Sequence, residues 1–521
     1  MSRLTVVSNR LPVALQRDAQ SRWTAARSPG GLVSALDPVL RRKGGRWIGW
    51  AGVAAEECDE ATASAVLAEL AGDFDLEPVP LARRDVELYY HGFSNSVVWP
   101  LFHGLVDRCR FDARTFTAYG EANQRFARRL ASGMDDGEVA WVHDYQLMQV
   151  GPMVRRERPG ACLGFFLHIP FPAPDELRRL PWWREVMDAL LSYDLVGLQT
   201  ARDLRAFGAC VAELVGVEPE REGALLRVPL GSRTVTAAAF PIGIDAAGWS
   251  QLAGSPEVER RMSDLRRQIG PQAVLLGVDR LDYTKGLIER VAAYERLLEE
   301  HPELRGQVVL VQVVVPSREA VPDYAALRAE LDRRIGRVSG RLGTPGWTPI
   351  RYVYGGVPAP ELAALYRMAD VALVTPVCDG MNLVAKEYCA AQVDEVGALV
   401  LGERAGAAEQ LGPAGAVLVP PGEVGRTAAA IHQALTMDVR GRRARMAAMR
   451  RVVADATVFR WADDFLAELE RTRAARQARR HEPLRAGARR AATAIGTPPA
   501  GVRAHQPAAP GPRAGRASAA T

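Results

Sequence analysis

Residues 371–392 read VALVTPVCDGMNLVAKEYCAAQ. The run VALVT (371–375) is apolar and β-branched and stops at Pro376. An Asp-Gly turn follows at 379–380, and then a segment in which Lys386 and Glu387 sit among Leu383, Val384, Ala385, Tyr388 and Ala390. The pattern predicts strand, loop and helix, with polar groups gathered at the carboxyl end of the strand. In α/β sheets that end faces the ligand crevice.

The same unit recurs along the chain. Short apolar runs stand at LTVVS (4–8), VAWVH (139–143), LGFFLHI (163–169), DLVGLQ (194–199), VLLGV (274–278), QVVLVQVVV (307–315), IRYVYG (350–355) and ALVLG (398–402). Between them lie helical patterns such as RVAAYERLLEEH (290–301) and ELAALYRMA (361–369). Buried strands spaced by helices imply an α/β fold with parallel sheets. The series divides near FPIGID (240–245), so the expectation is two doubly wound domains facing a cleft. A chain of 521 residues is long enough for two such cores.

Composition narrows the function classes. With 48% hydrophobic and 24% charged residues the chain is ordinary for a globular protein. No run of 18 or more apolar residues occurs, and the start MSRLTVVSNRLPV lacks a secretory pattern, so no membrane partner and a cytoplasmic location are expected. Six cysteines are scattered without metal-binding spacing, which fits reduced thiols better than a disulfide framework or a zinc site. The net charge of +5 hides an asymmetry: residues 471–521 carry 11 Arg against Glu482, so the rest is mildly acidic. Residues 473–521 are read as a disordered basic Ala/Pro/Arg tail. Lacking interleaved aromatics, the tail gives no reason to expect a nucleic-acid partner.

Reactive side chains follow the strands directly. Asn9 and Arg10 come after LTVVS, His143 and Asp144 after VAWV, and His168 at the end of LGFFL; Arg280, Arg318 and Asp379 close later strands. In VDRLDYTKG (278–286), Arg280 and Lys285 share one loop, with Gly286 opening a helix. Two cations beside a helix N-terminus suit a diphosphate; the alternative is a surface loop in which Arg280 pairs with Asp279 or Asp282. Asp379 and Glu387 flank the turn Gly380-Met381-Asn382, where carboxylates and free N–H groups could hold vicinal sugar hydroxyls. Otherwise Asp379 caps the helix and Glu387 is merely solvated. His143 and His168, beside Asp144, suit acid/base or hydroxyl-binding work, or a satisfied core. Gly30 and Gly31 could admit a ligand or simply start a helix, and a GxGxxG fingerprint is absent. YYHGFSNSVVWPLFH (89–103) reads as core, or as one wall of a sugar-phosphate pocket in which Tyr90 and Trp99 stand with the charges of Arg10 and Arg318.

Together SNRLPV, SPGGLVSAL, WIGWAG, YYHGFSNSVVWPLFH, WVHDYQL, GFFLHIPFP, FPIGID, VDRLDYTKG, VPSR, ALYRMADVALVTP and DGMNLVAKEY resemble the trehalose-6-phosphate synthases, retaining glycosyltransferases that move glucose from a nucleotide sugar to glucose 6-phosphate. The resemblance implies the glycosyltransferase-B fold: an acceptor-binding Rossmann-like domain over 1–245, a nucleotide-sugar domain over 246–457, and a helix over 458–472 crossing back. It gives Arg280 and Lys285 the donor diphosphate and Glu387 the ribose. Asp379 with the backbone of Gly380, Met381, Asn382 and Leu383 would take the glucose, and His168 its 6-hydroxyl. Arg10, Tyr90, Trp99 and Arg318 would take the acceptor phosphate, and Asp144 the acceptor sugar. Gly30 and Gly31 would let the N-terminal loop close. Asp144, His168, Arg280 and Lys285 are the implied catalytic set, with no cofactor and no metal required. Four residues in three stretches depart from the family pattern: Cys378, Gly402 with Arg404, and Leu198. They leave the donor base open, and a relative acting on another phosphorylated acceptor (a glucosylglycerol-phosphate synthase or a cyclitol-coupling pseudo-glycosyltransferase) and a non-catalytic sugar-phosphate sensor remain alternatives. A homo-oligomer is also left open.

Overall fold

The computed structural model describes residues 3–28, 31–70, 72, 74–135, 137–318 and 321–494. Residues up to Arg473 form one compact unit built on two main sheets.

The first sheet has nine strands. Seven are parallel, in the order Asp75–Pro78, Arg46–Trp50, Leu4–Arg10, Val139–His143, Cys162–Phe166, Leu195–Leu198 and Arg233–Ala239. Leu225–Leu230 and Glu220–Glu222 then add an antiparallel edge, a departure from the expected all-parallel sheet. The second sheet has six parallel strands, in the order Ile350–Tyr354, Val308–Val315, Ala273–Arg280, Val371–Val374, Ala398–Gly402 and Val417–Val419. Counted along the chain this is 3-2-1-4-5-6, the Rossmann order. The strands read as continuous apolar runs because helices cover both faces: Val308–Val315 is buried at every position but its last.

The two sheets meet at the expected boundary, since the first ends with Ala239 and the helix Ala246–Ala253 opens the second part. The last helix returns to the first sheet. Its Phe465 stacks on Trp141, with ring centroids 4.6 Å apart, and its Trp461 lies 4.8 Å from the same indole. Gly164 and Gly197 leave room for it, because a Cβ at either would lie 2.8 or 2.7 Å from the Phe465 ring.

This helix runs Val458–Ala494, well past the expected end at 472. The reading of 473–521 as disordered therefore fails for 473–494. Its basis was the lack of anything to bury; Ala and Arg, the main residues here, are among the strongest helix formers. The chain from Ala474 counts as a separate unit, and residues 495–521 lie outside the described residues.

Candidate functional site

Each sheet reverses its strand order once between neighbouring parallel strands, and ligand crevices form there. In the second sheet the reversal falls between Ala273–Arg280 and Val371–Val374; in the first, between Leu4–Arg10 and Val139–His143. Arg280 and Asp379 therefore stand at one switch point, and Arg10 and Asp144 at the other.

On the second-sheet side, Lys285 Nζ is paired with Asp379 Oδ2, which also accepts from Asn382 Nδ2 at 3.0 Å. Burial pushes the Asp379 carboxyl up, but Lys285 outweighs it and holds it below the usual range. Gly286 adopts φ +65°, and a Cβ there would meet the Thr375 carbonyl at 2.3 Å, so only glycine joins this loop to the helix Leu287–Glu300. Asn382, at φ 74°, caps the helix Leu383–Ala391 by accepting from Ala385 N. Asn382, rather than Asp379, therefore caps this helix, and Asp379 is engaged by Lys285 and Asn382. Gly380 lies against the His168 carbonyl, where a Cβ would come within 2.0 Å, so this loop touches the first sheet. Glu387 accepts from Tyr366 Oη at 3.1 Å, and burial raises its carboxyl to about 7. Lys386, next to it, turns away: its Nζ donates to the Ile242 carbonyl at 2.6 Å, and burial lowers it to about 7. The adjacent charges of the opening stretch therefore divide, Glu387 to Tyr366 and Lys386 to the chain joining the two sheets.

The first-sheet side gathers cations on aromatic faces. The Arg10 guanidinium sits 4.6 Å from the Trp50 ring and 5.7 Å from Tyr90. Arg318, from the second sheet, sits 4.2 Å from Trp99, and Arg280 lies 5.7 Å from the same ring. Burial would raise the Tyr90 phenol, but Arg318, Arg10 and Arg280 together hold it below its ordinary value. Arg318 is fixed by Tyr324 Oη at 2.6 Å, Tyr145 Oη at 3.0 Å and Asp282 at 3.4 Å. Its Nε, Trp99 Nε1 and Asn95 Nδ2 are buried donors without a partner. Asp279 is engaged by Arg290 at 2.7 Å. Neither Asp279 nor Asp282 forms an ion pair with Arg280 among the described residues, so the surface salt-bridge reading of that loop fails.

Between the two groups stand Asp144 and the histidines. Asp144, Arg318 and Asn382 are non-glycine residues at positive φ, each in a strand-end loop of the cleft; such backbone cost collects at functional sites. Asp144 Oδ1 accepts from His168 N at 3.2 Å, and burial lifts its carboxyl to about 6. His143 Nδ1 and His168 Nε2 are 3.0 Å apart, and Gln199 Nε2 approaches His168 Nδ1 at 3.4 Å. Burial drops His168 to about 3, so the ring is neutral. A neutral imidazole with both nitrogens engaged positions groups and binds hydroxyls; it does not carry a proton through turnover.

The sequence matches the model of glycosyltransferase family 20 over residues 2–471. The chain belongs to this family. It is similar to a bifunctional trehalose-6-phosphate synthase/phosphatase of Thermoproteus tenax, 42% identical over 486 residues that make up 91% of this chain and 64% of that protein. It is also similar to a trehalose-6-phosphate synthase of Mycobacterium marinum, 42% identical over 91% of this chain and 94% of that one. Among solved structures it is similar to a UDP-forming α,α-trehalose-phosphate synthase of Burkholderia xenovorans in complex with glucose 6-phosphate, with a TM-score of 0.82, 36% identity, and coverage of 90% of this chain and 100% of that one.

In this family 20 chain contacts join Arg10 with Tyr90, Arg280 and Arg318 with Trp99, Lys285 with Asp379, and Asp144 and Gly380 with His168, whereas Glu387 contacts Tyr366 and Gly30 lies outside the described residues. Gly31 begins the helix Gly31–Lys43, and a Cβ on it would lie 3.2 Å from the Leu383 side chain, so the start of this helix packs against that of Leu383–Ala391. Sequence reasoning missed Trp50, Tyr145, Asp282, Tyr324 and Gln199. WIGWAG and the strand end LVGLQ placed Trp50 and Gln199 beside the cleft, whereas Tyr145 and Tyr324 gave no signal, since an aromatic in a strand-rich chain reads as core. The structure also joins the halves across the cleft. Asp323 pairs with Arg110 at 3.0 Å, and Glu409 accepts from the N–H groups of Ala201 and Arg202 at the start of the helix Ala201–Cys210.

Proposed function

We propose that this chain transfers glucose from a nucleoside-diphosphate glucose, UDP-glucose first among the candidates, to glucose 6-phosphate, with retention, to give trehalose 6-phosphate. The observation that carries the reading is the meeting of two groups of cations: Lys285, with Asp379, and Arg280 at the switch point of the second sheet, and Arg10 beside Tyr90 at that of the first, with Arg318 over Trp99 between them. A catalytically silent sensor would need only one of them.

In this reading the donor diphosphate lies on Lys285 and Arg280. Breaking the anomeric bond places negative charge on the departing diphosphate, which both cations stabilise, Lys285 from a position already fixed by Asp379. Arg280 reaches toward Trp99 as well, so it spans both ligands. The carboxylates nearest the diphosphate are already committed, Asp279 to Arg290, Asp282 to Arg318 and Asp379 to Lys285, which favours a metal-independent reaction. Asp379 and the turn 380–383 hold the glucose, Glu387 the ribose, and a hydroxyl reaching His168 Nδ1 replaces the long Gln199 contact. Asp144 orients the acceptor sugar, and the leaving phosphate takes the acceptor proton on the same face; no carboxylate is assigned as a nucleophile. The reading involves no nucleic-acid or membrane partner, and a cytoplasmic enzyme fits its soluble substrates; no described helix is long and apolar enough to cross a membrane.

The test is a donor panel (UDP-, GDP- and ADP-glucose) with glucose 6-phosphate, reading released nucleoside diphosphate and the disaccharide phosphate. An α,α-linked product is expected. Turnover only with another phosphorylated acceptor, or binding of both ligands without turnover, would overturn it.

A further inference from the structure

We propose that His301, Glu303 and His432 form a binding site for a divalent transition-metal ion of the zinc, cobalt or nickel type, remote from the cleft. His301 ends the helix Leu287–Glu300, Glu303 lies in the single turn Pro302–Leu304, and His432 stands on the helix Val424–Thr436. One ligand atom from each lies within 4.8 Å of the others, and His301 Nδ1 is 3.1 Å from Glu303 Oε1.

The geometry is near what an ion requires. Bonds of about 2.0–2.2 Å put neighbouring ligand atoms of a tetrahedral ion about 3.3–3.6 Å apart. The widest gap must therefore close by only about 1.5 Å, within the reach of side-chain rotation. The two imidazoles are stacked, with centroids 3.7 Å apart and planes within 5°. Lone pairs in parallel planes do not converge, so one ring turns as the ion enters; the His301 side chain is 30% exposed and free to do so.

Two imidazoles and one carboxylate, without a thiolate, select zinc, cobalt or nickel over magnesium or calcium, and leave a fourth position to water. The ion does not take part in the transfer: Lys285 precedes the other end of Leu287–Glu300, about 20 Å away along the helix. It would tie that helix to Val424–Thr436. The spacing of cysteines and histidines gave no sign of this site because its ligands come from distant parts of the chain.

The experiment uses the full chain without an affinity tag, stripped with a chelator and titrated with Zn2+ by calorimetry, with Co2+ absorption reporting ligand type. One equivalent is expected to bind, and His301→Ala, Glu303→Ala and His432→Ala should each weaken it by at least about tenfold while leaving turnover unchanged. Absence of saturable binding, equal affinity in His432→Ala, or a thiolate signature in the Co2+ spectrum would overturn the proposal.

Discussion

Lys285→Ala separates two roles that share one side chain. The Lys285 and Asp379 side chains are 11% and 14% exposed, so their ion pair is largely removed from water. Removing the lysine leaves the Asp379 carboxylate with Asn382 Nδ2 at 3.0 Å as its remaining side-chain partner. Stripping one partner from a buried pair costs about 3–5 kcal/mol, and the residual exposure points to the lower end, about 3 kcal/mol. Loss of a cation aimed at the departing diphosphate costs a further factor of about 10²–10³ in kcat. The double variant Lys285→Ala/Asp379→Asn distinguishes them: it removes the orphaned charge, so most of the stability should return while kcat stays low. Thermal unfolding and initial rates of nucleoside diphosphate release measure the two quantities on the same samples. A kcat in the double variant equal to that of Asp379→Asn alone would refute the reasoning, because Lys285 would then serve only to neutralise Asp379.

Arg318→Ala should raise KM for the phosphorylated acceptor far more than KM for the donor, since Arg318 is held over Trp99 by Tyr145, Tyr324 and Asp282; an effect confined to the donor would contradict its place. Lys386 carries a pH signature. Its ammonium is lowered from 10.5 to about 7 in the folded state, so the unfolded chain binds more protons between those values and stability climbs as pH rises through that window. Lys386→Met should lack that part of the climb in denaturant unfolding at pH 7 and 9; an unchanged difference between the two pH values would count against it. Phe465→Ala should cost about 3–5 kcal/mol by emptying the space over Gly164 and Gly197, and a fall in thermal stability of a degree or less would show that the last helix does not anchor there.

Much of this architecture was legible because a parallel sheet covered on both faces leaves long β-branched runs. LTVVS, VAWVH and QVVLVQVVV each became a strand. Arg46–Trp50 and Arg233–Ala239 were missed although largely buried, because their runs are interrupted by Gly or made of Thr and Ala, and others among the missed strands lack that signature. Asp75–Pro78 and Glu220–Glu222 are charged edges, and Val13–Arg17 with Trp23–Arg27 forms a separate hairpin. The reactive groups were legible for a similar reason, since each follows a strand directly. Their partnerships were not: Lys285 and Asp379 are 94 residues apart, and Arg318 meets Tyr145 across 173. Lys386 shows the limit. Its apolar neighbours are plain in the sequence, but its carbonyl partner on the joining chain depends on how the two sheets pack.

A crystal structure with UDP and glucose 6-phosphate bound together tests the central claim most directly. The account predicts the diphosphate on Arg280 and Lys285, the ribose on Glu387, and the acceptor phosphate among Arg10, Tyr90, Trp99 and Arg318, with the two ligands close enough for a glucosyl group to pass between them. Ligands seated on separate surfaces, or an acceptor phosphate bound away from Arg318, would contradict it.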